Sequence, residues 1–144
     1  MALEIARGIG CSERTVLAGL LHRERLGPTG VGYGVAVPHT LLDSVTSSVA
    51  ALTRLTVPID FGSPDGEPVD LLFTLQSDTR AFLPAFSRLC RLLRSSWLRD
   101  GLRQARSADE GMAILRMAEN ELADPSAVPY GAGGAVAVEA ATAE

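Results

Sequence analysis

Lysine is absent from this 144-residue sequence, and arginine supplies all 13 of its basic residues. Histidine occurs only twice, aromatic residues make up 5% of the chain, and the formal net charge is −4. A protein that binds nucleic acid needs a clustered basic face for the phosphate backbone. The charge balance therefore argues against nucleic acid as the main partner, while the excess of arginine by itself indicates no function.

Cysteine is also scarce, and its placement predicts no metal site. Cys11 and Cys90 lie far apart, without the Cys-x-x-Cys or Cys/His spacing of a zinc site. Both fall in apolar helical patterns, which favours buried free thiols. No apolar run approaches the roughly 20 residues of a membrane span, and the N-terminus lacks the pattern of a signal peptide. We expect a cytoplasmic protein with no cofactor, no metal and no membrane span.

Hydrophobic periodicity predicts an α/β domain. Ser12 and Ser107 are expected helix N-caps, and Glu110 completes a capping box with Ser107. The segment Val69–Leu75 is almost continuously apolar, as in a central strand buried on both faces. The order of elements predicts a three-layer α/β/α sandwich with a central mixed sheet of about four to five strands and helices on both faces. One predicted helix ends near residue 8, and the others cover about 12–25, 82–93, 97–103 and 107–122. The predicted strands cover about 34–37, 48–56 and 69–75.

The composition changes near residue 124. Residues 1–123 are expected to form one domain, because the chain is 47% hydrophobic and can bury a single core. Residues 124–144 are rich in alanine and glycine and contain few large apolar side chains. Such a segment buries too little surface to offset its ordering entropy, so we expect a disordered tail.

His39 is the candidate for chemistry. It follows Pro38, whose ring restricts the backbone and favours an extended Val37, so a strand would deliver the imidazole to a strand-to-loop edge. The glycines of Gly30–Gly34 would let the backbone approach a ligand closely, although their spacing is wrong for a dinucleotide fingerprint. Spacing alone leaves two interpretations open: a solvated loop histidine or a histidine that belongs to a site.

The stretch that ends at His39 resembles a known family signature. It reads Leu20-Leu-His-Arg-Glu-Arg-Leu-Gly-Pro-Thr-Gly-Val-Gly-Tyr-Gly-Val-Ala-Val-Pro-His39. An Arg-Glu pair, a Thr-Gly, a small-residue strand and a Pro-His are typical of phosphotransferase-system (PTS) IIA domains of the fructose/mannitol class, and the chain is most similar to the nitrogen-regulatory members. Pro68–Leu75 resembles the central strand of that family and Leu102–Glu110 its last helix-turn-helix, so the resemblance covers about residues 1–122.

The resemblance implies roles for three residues. His39 would accept a phosphoryl group from a phosphocarrier of the HPr type, and Arg23 would lie beside that group. A neutral imidazole is a good nucleophile at physiological pH, and a guanidinium can hold an anionic group through two donors. Thr29 would either donate its hydroxyl to the phosphate or cap the loop. Glu24 is expected to be a solvated helix residue. If transfer is retained, the chain is a phosphotransferase component with a phosphohistidine intermediate.

One position departs from the family pattern. Most members carry a second histidine, followed by leucine, that faces the phosphorylated one, whereas this chain has Phe82-Leu83. Phenylalanine cannot hydrogen-bond a phosphate or orient an imidazole. Transfer is then slower, or lost, or another group substitutes, either His22 or the N-terminus of a helix.

Three functions stay open at this stage: an active regulatory phosphocarrier, a binding module of the same fold with impaired transfer, and an anion-binding module similar to the cytosolic regions of some anion transporters. The expected partners are an HPr-type carrier and a regulatory target protein. Family members begin with an additional strand and a longer first helix. Without them a sheet edge would be unpaired, and a homo-oligomer could cover it.

Overall fold

The computed structural model describes residues 11–42, 48–123 and 137–143. Within them the elements are α1 (Glu13–Leu26), β1 (Gly30–Gly32), β2 (Val35–Ala36), β3 (His39–Leu41), β4 (Val49–Ile59), β5 (Val69–Ser77), α2 (Thr79–Leu93), α3 (Ser96–Gln104), α4 (Ala108–Leu122) and β6 (Ala137–Ala143).

The strands form one mixed sheet around β5. Its order is β1-β2-β5-β4-β6, and β3 also pairs with β5, beyond the end of β2. β2 and β3 run parallel to β5, whereas β4 runs antiparallel to it. The apolar run Val69–Leu75 thus lies in the centre of the sheet, as its composition predicts. The chain was expected to leave the sheet at Pro38, but it re-enters as β3 at once, and the Pro38 carbonyl accepts from the Leu75 amide at 2.9 Å.

Helices cover both faces of the sheet, so the predicted α/β architecture is confirmed. Alternate residues of a strand point to opposite faces. Accordingly Leu71 and Phe73 of β5 pack with α2, α3 and α4, while Ala51 of β4 packs with Val16 and Leu20 of α1 on the other face. Each large apolar side chain buried in this way contributes about 1.5–3 kcal/mol.

The helix starts follow their capping residues. Ser12 Oγ accepts from the Thr15 amide at 3.2 Å, and Ser107 Oγ accepts from the Glu110 amide at 3.2 Å. Glu110 differs slightly from the expected capping box, because its carboxylate accepts from the Arg106 amide and not from Ser107. Both N-caps are where the sequence predicts them, since the cap depends on residues within one turn.

Part of the segment that was expected to be a disordered tail is a strand in the structure. Residues 137–143 form β6, parallel to β4 from Val49↔Ala137 to Leu55↔Ala143. Strand pairing uses backbone groups, so small side chains do not exclude it. Residues 124–136 lie outside the described residues, as do residues 1–10, where the end of a helix was expected. In the described ranges, no helix combines the length and the apolar character needed to cross a membrane.

Candidate functional site

Helix α1 and strand β3 bring Arg23 to His39. Gly19 faces Thr40, the residue after His39, and a methyl group at Gly19 would overlap the Thr40 hydroxyl. The missing side chain therefore lets α1 lie close against β3. Arg23 comes one helical turn after Gly19 and so projects from the same side of the helix, toward His39. The two residues that the resemblance pairs are in contact in the structure.

Both ring nitrogens of His39 have partners, and these partners fix its tautomer. Nδ1 lies 2.9 Å from the Val37 carbonyl oxygen, and Nε2 lies 2.9 Å from Arg23 Nε. A carbonyl oxygen only accepts and a guanidinium only donates. The neutral ring therefore carries its proton on Nδ1 and holds a lone pair on Nε2, directed at the guanidinium. Arg23 also donates from Nη1 to the Gly27 carbonyl at 3.0 Å, which fixes its head group.

The imidazole is more covered than an edge position suggests, because His39 is only 9% exposed. Burial lowers the pKa of His39 below 6.5; the hydrogen bond to the Val37 carbonyl opposes this shift, the positive charge of Arg23 adds to it, and Glu24 opposes it. The neutral, nucleophilic form is thus favoured even below the ordinary pKa of histidine.

Two phenylalanines of α2 cover the imidazole. The centroid of the Phe82 ring lies 4.8 Å from that of His39, tilted by 31°, and the Phe86 ring lies 5.6 Å away. Phe82, which the resemblance places at the position of the second family histidine, therefore faces His39 directly. It offers an apolar contact where a histidine would offer a hydrogen bond. Phe86 was not expected at the site, although it follows Phe82 by one helical turn.

Thr29 and Glu24 bind each other. Glu24 accepts from the Thr29 amide through Oε1 at 3.0 Å and from the Thr29 hydroxyl through Oε2 at 2.5 Å. The interpretation of Glu24 as a solvated helix residue is therefore wrong. Of the two roles considered for Thr29, this geometry favours the anchoring of the loop, because its hydroxyl proton is directed to Glu24.

The glycine-rich turn does not lie at His39. Gly32, Tyr33 and Gly34 all have positive φ and form the turn between β1 and β2. There the Tyr33 amide donates to Asp65, and Arg103 donates to the Tyr33 carbonyl. The strand that follows starts opposite Leu71 of β5, whereas His39 lies opposite Leu75. Leu71 and Leu75 are four residues apart along β5, a distance of about 13 Å. These glycines therefore form a hairpin turn and do not line the space around His39.

Two substitutes for the missing histidine find no support in this geometry. His22 is exposed on α1, and neither ring nitrogen of His39 bonds to it, because Val37 and Arg23 occupy them. The N-terminus of α2 is already capped, since Asp78 accepts from the amides of Arg80 and Ala81 at 2.8 and 2.7 Å. Among the residues that the structure describes, Arg23 is the cationic residue in direct contact with the His39 ring.

The chain matches a known protein family. The family described as "Phosphoenolpyruvate-dependent sugar phosphotransferase system, EIIA 2" matches residues 4–118. The chain is 42% identical over 120 residues to a nitrogen regulatory protein of Bradyrhizobium diazoefficiens, an alignment that covers 81% of this chain and 78% of the relative. It is 38% identical over 110 residues to a nitrogen regulatory protein of Pseudomonas aeruginosa, an alignment that covers 74% of this chain and 71% of the relative.

Solved structures give the same result for the fold. The crystal structure of the nitrogen regulatory protein IIA-Ntr from Neisseria meningitidis superposes with a TM-score of 0.72 at 35% identity, covering 79% of this chain and 80% of that one. The crystal structure of IIA mannitol from Escherichia coli has a TM-score of 0.67 at 21% identity, and the superposition covers 79% of this chain and 82% of that one. The second likeness concerns the fold alone.

Proposed function

The chain belongs to the EIIA 2 family of the phosphoenolpyruvate-dependent sugar phosphotransferase system, and from this premise we propose that His39 accepts a phosphoryl group on Nε2. The donor is a phosphorylated carrier protein of the HPr type. The relatives named as nitrogen regulatory proteins support a regulatory output, through a target protein, over sugar transport.

One observation carries this proposal: the partners of the two ring nitrogens of His39 favour the tautomer with a lone pair on Nε2. Nδ1 donates to the Val37 carbonyl, so the other nitrogen is the nucleophile. Its present partner is the Arg23 guanidinium, 2.9 Å away. A guanidinium prefers phosphate oxygens to a neutral imidazole, because the former carry negative charge. The incoming phosphoryl group can therefore draw Arg23 away from Nε2 and onto itself.

The transfer step is a simple exchange of bonds. The Nε2 lone pair of His39 forms a bond to phosphorus while the bond between phosphorus and the carrier breaks, and the carrier keeps that electron pair. The phosphorylated ring is cationic, with the proton still on Nδ1, where the Val37 carbonyl stabilises it. Arg23 compensates the charge of the phosphoryl oxygens. Positioning and charge stabilisation are the main demands of such a reaction.

The test is phosphorylation by a phosphorylated HPr-type carrier, followed by intact mass spectrometry. The wild-type chain should gain one phosphoryl group, and the gain should disappear in His39→Gln. His22→Gln is the matched control, because it removes the other histidine, which is exposed on α1. Equal phosphorylation of His39→Gln and wild type would refute the assignment.

A second candidate function is a binding module that keeps the fold with impaired transfer. The observation in its favour is Phe82, whose ring lies against His39 at 4.8 Å between centroids. It can neither donate a hydrogen bond to a phosphoryl oxygen nor accept one from the imidazole. In this case the chain would act through docking, with little change of phosphorylation state.

Phe82→His separates the two candidates. If the missing histidine limits the reaction, this variant should be phosphorylated faster by the carrier, by about 10-fold or more, since one placed hydrogen-bond donor is worth 10²–10³ at some sites. Phe86→His is the matched control, because it places an imidazole one turn further along α2. An unchanged rate in Phe82→His would show that Phe82 does not impair transfer.

A further inference from the structure

Glu24 holds the loop that leads into the site. Its two carboxylate oxygens bind one residue, through the Thr29 amide at 3.0 Å and the Thr29 hydroxyl at 2.5 Å. Thr29 is 6% exposed and Glu24 is half-buried, so the hydrogen bonds are partly shielded from water and stronger than on an open surface. The last turn of α1 is thereby fastened to the start of the loop after Gly27.

From Thr29 the contacts continue to the imidazole. The Thr29 carbonyl accepts from the Val37 amide at 2.9 Å, and the Val37 carbonyl lies 2.9 Å from His39 Nδ1. Pro38 separates Val37 from His39, and its ring removes one backbone rotation. The orientation of the Val37 carbonyl, which selects the tautomer of His39 together with Arg23, thus depends on where Thr29 is held.

We propose that Glu24 is a positioning residue for His39, acting through Thr29 and Val37. It keeps the Val37 carbonyl on Nδ1 and so keeps the lone pair on Nε2. Arg23 and Glu24 are neighbours at the end of α1, and the same helical turn therefore controls both nitrogens: Arg23 directly, and Glu24 through the loop. The inference deepens the proposed function and rests on it for its consequence, although the tautomer itself can be measured without any transfer.

The competing interpretation is that Glu24 only stabilises the loop. In that case its loss would lower stability and leave the imidazole as it is. The test must therefore include a property that a purely structural role does not change. The ¹⁵N chemical shifts of Nδ1 and Nε2 are such a property, because they differ widely in a single tautomer and converge when two tautomers exchange.

The experiment compares the unphosphorylated 144-residue chain with its variants Glu24→Ala, Glu24→Gln and Thr29→Val, with fluorescence-monitored denaturation to confirm folding. Glu24→Ala should bring the two ¹⁵N shifts of His39 closer together. Glu24→Gln should keep them apart, because an amide can still accept from the Thr29 amide and bond to its hydroxyl. Thr29→Val, which loses one of the two bonds, should be intermediate. Glu13→Ala is the matched control, since Glu13 is an exposed glutamate on the same helix.

Phosphorylation from the carrier provides the second measurement. The rate in Glu24→Ala should fall by about 10-fold to 100-fold, as expected for a misplaced reacting group, and Glu24→Gln should restore most of it. Unchanged ¹⁵N shifts in a folded Glu24→Ala would overturn the inference, and if that variant does not fold, unchanged shifts in Thr29→Val would do so. A wild type that never accepts phosphate would refute the proposed function and leave the result on the tautomer standing.

Discussion

At the scale of single residues, Arg23 and a proton compete for the same nitrogen. Nε2 of His39 accepts a hydrogen bond from Arg23, and a protonated Nε2 would turn a second donor toward the guanidinium. Burial is the larger reason for the lowered pKa of His39, and the charge of Arg23 acts in the same direction. The same arginine thus adds to the effect of burial in favouring the neutral imidazole, and in the proposed transfer it would bind the phosphate oxygens.

Arg23→Gln should separate these two effects. The pKa of His39 should rise, because a positive charge beside the ring is removed, and NMR titration measures that rise. The rate of phosphorylation should fall by about 10²–10³, as when a donor to a developing anion is lost. Arg25→Gln is the control, since Arg25 is exposed on the same helix turn. Equal rates in Arg23→Gln and Arg25→Gln would contradict a role of Arg23 in transfer.

At the scale of elements, the approach of α1 to β3 sets the distance between Arg23 and His39. Gly19 permits this approach, since the position of a methyl group there would overlap Thr40 Oγ1 and lie 3.1 Å from Thr40 Cβ. Val16 and Leu20 pack α1 on the sheet, and β3 is paired with β5, so neither element can shift without cost. Glycine at this position serves close packing and not an unusual backbone conformation.

Gly19→Ala should therefore destabilise the protein by about 1–3 kcal/mol, the usual cost of overpacking, and should also slow phosphorylation of His39. Thr40→Ala in the same chain should recover part of the loss, because it removes the overlapping hydroxyl. A double-mutant cycle in urea denaturation measures this coupling. Strictly additive free energies of unfolding would show that the two residues do not compete for space.

What the sequence predicts depends on how local each feature is. The caps at Ser12 and Ser107 involve residues within one turn, and the central strand is evident from its own apolar run, so both were predictable. Arg23 and Phe82 were assigned through the family resemblance, and the structure places both against His39. The Glu24–Thr29 hydrogen bonds were missed, because they span the end of α1, and the sequence around Gly27 does not determine the conformation of the turn there. The pairing of β6 was missed for a different reason, because its partner strand is far away in the chain.

At the scale of the whole molecule, the lowered pKa of His39 links folding to acidity. The unfolded chain binds a proton at His39 more readily than the folded one, so the free energy of unfolding must fall as the pH drops. The contribution is present in full above about pH 6.5, the ordinary pKa of histidine, and is lost as the pH falls through the lower pKa of the folded state. Acid therefore disfavours the fold through this ring.

Denaturation in urea at several pH values measures the effect. Below about pH 6.5 the free energy of unfolding of wild type should decline more steeply than that of His39→Gln, by at most about 1.4 kcal/mol per pH unit. The comparison removes the contribution of the carboxylates, which titrate in both chains. Parallel curves for the two proteins would mean that the pKa of His39 is the same in the folded and unfolded states.

The site has two separate origins in the chain. Arg23, Glu24, Thr29 and His39 all come from one short stretch, whereas Phe82 arrives on another helix across the sheet. His39 and the ring that covers it therefore lie on separate parts of the chain and can be varied separately by mutation. Under the proposed function, a change at position 82 alters the reactivity of His39 and leaves Arg23, Glu24 and Thr29 in place.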